Sequence, residues 1–449
     1  MGVRDAIDRD KIDRFKKDRE VRRRGSSVEE TWRRLEREGN LSVKDKLEKL
    51  IRLTGGAGPT PAPPRPRHIR TREPFQYFEN SYGLDVRYGK NRIGEGLEVD
   101  GRTLFYLSRD EEFQGLDLSS ALFFDLETTG LAGGTGTLPF LVGLGFYRDD
   151  KFVVAQYFLG DPGEEERMLE ELARLFEDGG FRSVVTYNGK AFDVPLLETR
   201  FILQRRKYVL SDWPHLDFLF SARTLWKHKH ESCRLFHLAR EVVAADRSED
   251  IPGAEIPQRY FDYLRSGDFE LIEPILYHNQ EDILSLLGLV VSGAKMFRGE
   301  GAAGEGEDWD AMDLVGVGRV FETAGEVERS VALFERALSG GLPAGVEVAL
   351  KEKISFHFKR AKRWDKAVPL WKDLSEKDDA FISDREIKGI LVGLRQLAIH
   401  YERHEKKPAD ALRAAEEGLA MSQKVAGRWR EEFEARIDRL KSKLLAAKR

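Results

Sequence analysis

Between residues 118 and 298 the chain alternates short, almost wholly apolar runs with longer stretches whose apolar residues recur every three or four positions. The runs LFFDLE (122–127), FLVGLGFYR (140–148), FVVAQYFLG (152–160) and SVVTYN (183–188) predict strands. EEERMLEELARLFED (164–178) predicts a helix, with Asp161 placed to cap it and Pro162 in its first turn. Three strands ahead of the first long helix, followed by helix and strand in turn, predict an α/β domain with a mixed sheet flanked by helices.

The pattern changes on either side of this domain. Residues 1–54 space charged and apolar positions at helical period, as in VKDKLEKLIRL (43–53), until GGAGPTPAPPRPR (55–67) intervenes. Proline at that density cannot continue a helix, so 55–67 predicts a linker. From 68 to 117, short aromatic pieces punctuated by YGKN (88–91) and VDGR (99–102) predict a small β-rich N-terminal appendage, with Asp100 and Gly101 as a hairpin turn. Downstream, GEGAAGEGEDWD (299–310) marks a second, Gly-rich acidic linker over 299–312, and 313–449 reads as all helix. The segments starting at Val320, His357 and His400 repeat one pattern, with Ala332, Ala367 and Ala411 at matching places. The first interval is close to the ~34-residue tetratricopeptide period, so helical repeats with a protein-binding concave face are expected, a plain helical bundle being the alternative.

Composition narrows the class. Hydrophobic residues at 41% of 449 positions allow substantial cores and exclude a disordered chain. The 74 Lys and Arg nearly balance 78 Asp and Glu, but residues 1–75 hold 21 basic against 13 acidic side chains. That arm suits a polyanionic partner, or is simply a solvated helical extension. Cys233 is the only cysteine, which excludes an intrachain disulfide and fits a reducing, cytoplasmic setting. The first twenty residues lack the apolar core of a signal peptide, and ILSLLGLVVSGA (283–294) is too short to span a bilayer, so neither secretion nor membrane association is expected.

Acids in apolar surroundings are where chemistry is expected. Asp125 and Glu127 end the run LFFDLE two positions apart, so on a strand both carboxylates face one side and can share a cation. Asp193 follows the strand SVVTYN across the turn NGKAF (188–192); it caps the next helix or joins the other acids. On the helix EPILYHNQEDILSLLGLV (273–290), His278 and Asp282 stand four apart on one face, and Asp282 lies among leucines and isoleucine where a lone acid is poorly tolerated. Hard divalent ions such as magnesium take a few convergent carboxylates and keep water, so such a set would serve. Asp217 in HLDFL (215–219) reads better as a cap or buried partner than as a fifth ligand. His228, His230 and Cys233 have irregular spacing and no evident fourth zinc ligand, so KHKHESCR (227–234) reads as a polar rim near the substrate.

Taken together, FDLETTG, NGKAFD and YHNQED resemble, in order, the three motifs of the DEDD 3'-5' exonucleases of the ribonuclease H-like superfamily. ETTGLAGGTGTLPFLVG, HLDFLFSARTLWK and DIPGAEIPQRYFDYLRSGD look like its YprB-like branch, a nuclease domain followed by tetratricopeptide-like helices. That branch is associated with bacterial DNA repair, mitomycin repair included, alongside a helicase. The resemblance covers 122–297 firmly, the C-terminal helices loosely and the first 70 or so residues not at all.

The resemblance implies a five-stranded ribonuclease H-like sheet and removal of nucleotides from a 3' end, with DNA favoured over RNA and a nucleic-acid-binding scaffold as the non-catalytic alternative. Asp125, Glu127, Asp193 and Asp282 would hold two Mg2+ or Mn2+ ions, typically about 3.5–4 Å apart in such sites. His278 would be the general base. Here the chain departs from the family: the His subtype has its base five positions before the last Asp and the Tyr subtype four, whereas this chain has His at four and Tyr277 at five. Either residue is a candidate. Thr128, Thr129 and Gly130 would cradle the terminal nucleotide, Leu131 would wedge beside its base, Asn188 and Phe192 would flank it, and Lys190 would meet a phosphate. The expected partners are nucleic acid and, through the C-terminal helices, a protein such as a helicase.

Overall fold

The computed structural model describes residues 75–130, 136–297, 309–376 and 383–446. The arm 1–54, the linker 55–67, Leu131 and most of the linker 299–312 lie outside the described residues.

The strands are β1 (Phe75–Gly83), β2 (Arg87–Tyr88), β3 (Asn91–Arg92), β4 (Ala121–Thr128), β5 (Pro139–Arg148), β6 (Lys151–Leu159), β7 (Ser183–Thr186) and β8 (His215–Asp217). The helices of the α/β domain are α1 (Gly101–Ser108), α2 (Glu165–Asp178), α3 (Asp193–Leu203), α4 (Phe218–Trp226), α5 (Leu235–Glu241), α6 (Ile256–Ser266) and α7 (Glu273–Lys295). The sheet is mixed and six-stranded, in the order β1-β6-β5-β4-β7-β8. Its first half is antiparallel, and β4-β7-β8 are parallel. Phe123, Phe140, Val142, Phe152 and Val154 are all buried, as strands covered on both faces require.

The sheet therefore has one strand more than the expected five, and the extra strand comes from the supposed appendage. β1 pairs along its whole length with β6, from Phe75↔Leu159 to Gly83↔Lys151. YGKN does form a hairpin, β2-β3, but the hairpin clamps α7: Asn91 Nδ2 donates to Gly288 O and Ser292 Oγ, both at 2.8 Å. Asp100-Gly101 is no turn. Asp100 accepts from the Thr103 amide and caps α1, a role the same residue type fills equally well. The described part of 68–117 is thus built into the α/β domain.

Two glycines set how closely α7 crosses the sheet. Gly143 faces Asp125 and Gly145 faces Phe123 in the β4-β5 register. A Cβ on Gly143 would lie 2.1 Å from the Asn279 side chain, and one on Gly145 2.5 Å from Ile283. Gly143→Ala is expected to cost about 1–3 kcal/mol through overpacking, read as a lower denaturation midpoint. Gly115→Ala, at a position with open space, serves as the control and should leave the midpoint in place.

The C-terminal domain is helical, as expected: α8 (Ala311–Thr323), α9 (Val327–Leu338), α10 (Ala344–Arg360), α11 (Trp364–Ser375), α12 (Asp384–Arg403), α13 (Pro408–Ser422) and α14 (Trp429–Ala446). Each packs on the next in sequence. Ala367 and Ala411 are fully buried, but Ala332 is exposed. The matching position in α9 is Ser330, fourth in its helix like the two alanines and 1% exposed. The position requires a small side chain where neighbouring helices meet, not alanine in particular. This domain leans on the first through α8 and α4, where a Cβ on Gly316 would lie 2.4 Å from Leu225 O. Tyr106 of α1 bridges to it as well, bonding Glu326 and accepting from Arg329 at 3.1 Å. Among the described residues no helix is long and apolar enough to cross a membrane.

Candidate active site

The three motifs lie on three different elements of one sheet end. Asp125 and Glu127 stand on β4, next to its edge with the last parallel strands. Asp193 opens α3, directly after β7 and its turn, and His278 and Asp282 lie on α7, which packs across β4 and β5.

The α7 face meets β4 through side chains. Asn279 donates to Asp125 Oδ2 at 2.9 Å and is itself held by Gln156 Nε2, 2.9 Å from its Oδ1. His278 Nε2 lies 3.7 Å from Glu127 Oε1 and 3.5 Å from Asp282 Oδ2, while Nδ1 is 2.7 Å from Asp250 Oδ1. The buried Arg247 ion-pairs with both Asp250 and Asp282. Tyr277 is buried too, but its charged neighbours are Glu281, Asp250, Glu249 and Arg247, none of the four motif acids.

Electrostatics mark the carboxylates as one group. Burial, then the charges of Asp282, Glu127 and Asp193, push the Asp125 carboxyl well above the usual range, with His278 pulling the other way. Glu127 rises likewise, through burial and then Asp282, Asp193 and Asp250, against Arg247. Asp193 is pushed up to about 7 by burial and by Asp217 and Asp282, although amide hydrogen bonds from its own residue and Leu126 resist. Burial disfavours a charged His278, yet Asp282 and the bond to Asp250 outweigh it and raise its pKa. Asp250 moves the opposite way: burial would raise it, but His278 and Arg247 hold it low.

As placed, no three His, Cys, Asp or Glu side chains among the described residues form a group that could hold a metal ion. Asp282 is drawn toward Arg247 and Asp125 toward Asn279, which is where mutually repelling carboxylates settle beside the available donors. By donor chemistry the set nonetheless fits a hard cation: Asp125, Glu127 and Asp193 are all raised, each by burial and by the charge of Asp282, and the buried Arg247 opposes the rise at Glu127.

The turn after β7 is organised by Asp217, at the end of β8. Its carboxylate accepts from the amides of Asn188 (2.7 Å), Lys190 (3.1 Å) and Leu219 (3.2 Å), so it is a cap for α4 and for the motif turn, as the sequence suggests. Asn188 adopts a left-handed backbone, φ 69°, and Gly189 is needed because a Cβ there would lie 2.6 Å from Thr186. Phe192, 53% exposed, stands beside Asp193. At the end of β4, Thr128 Oγ1 donates to Gly130 O at 2.8 Å and Thr129 exchanges bonds with Leu138 across the β4-β5 connection, so these residues border the acids.

Sequence reading missed Asp250, Arg247 and Asn279. Asn279 sits inside the quoted YHNQED, and its signal is the alternate glycines Gly143 and Gly145 in an otherwise bulky strand, which announce a close approach by something. Arg247 and Asp250 come from RSED in a loop, with no pattern tying them to a helix 28 positions further on.

Two comparisons bear on this arrangement. A family model described as the RNase_H superfamily matches residues 122–292. The uncharacterized protein YprB of Bacillus subtilis (strain 168) is 31% identical over 369 residues, which cover 81% of this chain and 85% of YprB. Likeness at that level over most of both chains means that this chain belongs to the family of YprB, and the superfamily match running from β4 into α7 gives it an RNase H superfamily domain.

Proposed function

We propose that the chain is a divalent-cation-dependent 3'-5' exonuclease acting on DNA, working in repair beside a partner such as a helicase that engages the C-terminal helices. The RNase H superfamily is one of nucleases, generally dependent on divalent ions, which makes nucleic acid the expected partner. What supports the finer reading is that acids from three distant motifs, Asp125, Glu127, Asp193 and Asp282, lie within electrostatic reach of one another, with His278 beside Glu127 and Asp282.

In this reading the four acids hold Mg2+ or Mn2+, which would supply an activated water and charge relief at the leaving 3' oxygen. His278 faces the acids through Nε2, where it can accept the proton of the attacking water, while Asp250 fixes its ring from the other side. Asn279 holds Asp125 in place, and Asp282, paired with Arg247, would be among the residues that hold the cation. Thr128, Thr129 and Gly130 on one side, Asn188, Lys190 and Phe192 on the other, bound the place for the terminal nucleotide.

A second reading is a non-catalytic nucleic-acid-binding scaffold, and the pairing of Asp282 with Arg247 favours it. One experiment separates the two. End-labelled single-stranded DNA, duplex DNA and RNA are incubated with the full chain and magnesium or manganese. A ladder shortening from the 3' end, abolished by EDTA, is expected, fastest on DNA. Binding without any shortening would leave the scaffold, and preference for RNA would redirect the substrate while keeping the chemistry.

A further inference from the structure

A groove of about 560 Å³ begins at Tyr187 and Asn188, in the turn that delivers Asp193, and runs along α4 toward the start of α5. Its walls carry Arg223, Lys227 and Arg234 against one carboxylate, Glu231. All three cations are exposed, and among the described residues none is engaged in an ion pair. Leu219, Arg223 and Lys227 recur every four positions, so α4 turns one continuous face into the groove. The far wall is tied to the motif turn, since the Tyr187 hydroxyl donates to Cys233 O. Two positions after Arg234 in sequence, Phe236 is 42% exposed, with Arg247, the partner of Asp282, 5.2 Å and Arg240 5.8 Å from its ring.

Cations spaced along a channel that opens at the turn delivering an active-site acid are a feature by which proteins hold a single polynucleotide strand without reading its bases. We propose that this groove binds the sugar–phosphate backbone of a single strand 5' to the linkage being cleaved, with Arg223, Lys227 and Arg234 contacting successive phosphates. The assignment rests on the nuclease reading for its direction, since the 3' end must then lie at the acids and the strand must leave along α4. It also gives a positively lined path on a body whose charge, outside residues 1–75, is net acidic. A groove of about 560 Å³ suits a short length of one strand.

The test is a full-length Arg223→Gln, Lys227→Gln, Arg234→Gln variant beside wild type. Fluorescence anisotropy of a labelled single-stranded oligonucleotide, in EDTA so that nothing is cleaved, should show affinity reduced at least about tenfold at low salt. The slope of log affinity against log salt should fall by about 2, as expected when three phosphate contacts are lost from a single strand. DNA and RNA strands should lose equally, because the backbone is what is held. With magnesium, KM for the oligonucleotide should rise, while hydrolysis of the p-nitrophenyl ester of thymidine 5'-monophosphate, which has no strand to lay in the groove, should be unchanged.

Unchanged affinity and salt slope would overturn the groove whether or not the protein is a nuclease. Loss of duplex binding with single-strand binding intact would overturn it as well. If wild type binds strands through these residues yet cleaves neither substrate, the groove stands and the nuclease reading falls.

Discussion

Asp193→Asn is expected to lower phosphodiester hydrolysis by about 1000-fold, the scale of the several kcal/mol that a divalent ion contributes at such a site. The same substitution should make the cation-free protein more stable at pH 8. An unfolded Asp carboxyl loses its proton near pH 4, about its ordinary value. In the fold that loss is delayed to about 7. Between those values the folded state keeps a proton that the unfolded chain has released, so stability falls as pH rises through the window and stays reduced above it. Asparagine removes this liability. Melting curves in EDTA should place the variant above wild type at pH 8, with the gap closing toward pH 4. Added magnesium or manganese should then raise the wild-type midpoint and leave that of the variant nearly where it was. Full activity in the variant, or a wild type whose melting ignores divalent ions, would remove the cation-binding role of these acids.

The second large effect is expected at His278. His278→Ala should reduce kcat by about 100- to 10,000-fold, the usual contribution of a positioned general base. Tyr277→Phe should change it little, because Tyr277 lies among Glu281, Asp250 and Glu249 and away from the motif acids. Asp250→Ala should lower kcat by about 10- to 100-fold, as losing the group that orients a functional histidine does. Here KM for the oligonucleotide should stay put, since Asp250 touches His278 and Arg247 and lies apart from the groove along α4. A Tyr277→Phe variant that loses as much as His278→Ala would hand the proton transfer to the tyrosine.

Much of this site is legible in the chain because its carriers are acids placed where acids are expensive. Asp125 and Glu127 end a run of buried phenylalanine and leucine, and Asp282 interrupts leucines on a helix; local context alone marks them. The sheet was legible for the same reason, since β4, β5 and β6 are continuous apolar runs. β1 was not. Its burial alternates, as suits an edge strand with one wet face, and nothing local says which strand it will join. Arg247 and Asp250 escaped for a related reason. Their meaning is a partner on α7, and only the tertiary fold supplies it.

Asp217 carries a consequence for kinetics. One carboxylate collects two amides of the segment that presents Asn188 and Lys190, beside that of Leu219 in α4, and Asn188 is held in a backbone conformation that a free chain seldom visits. The loop has thus settled its shape during folding, so capture of a strand demands little further loss of freedom there. A substitution at Asp217 would be felt as a slower, less selective encounter before it was felt in the bond-breaking step.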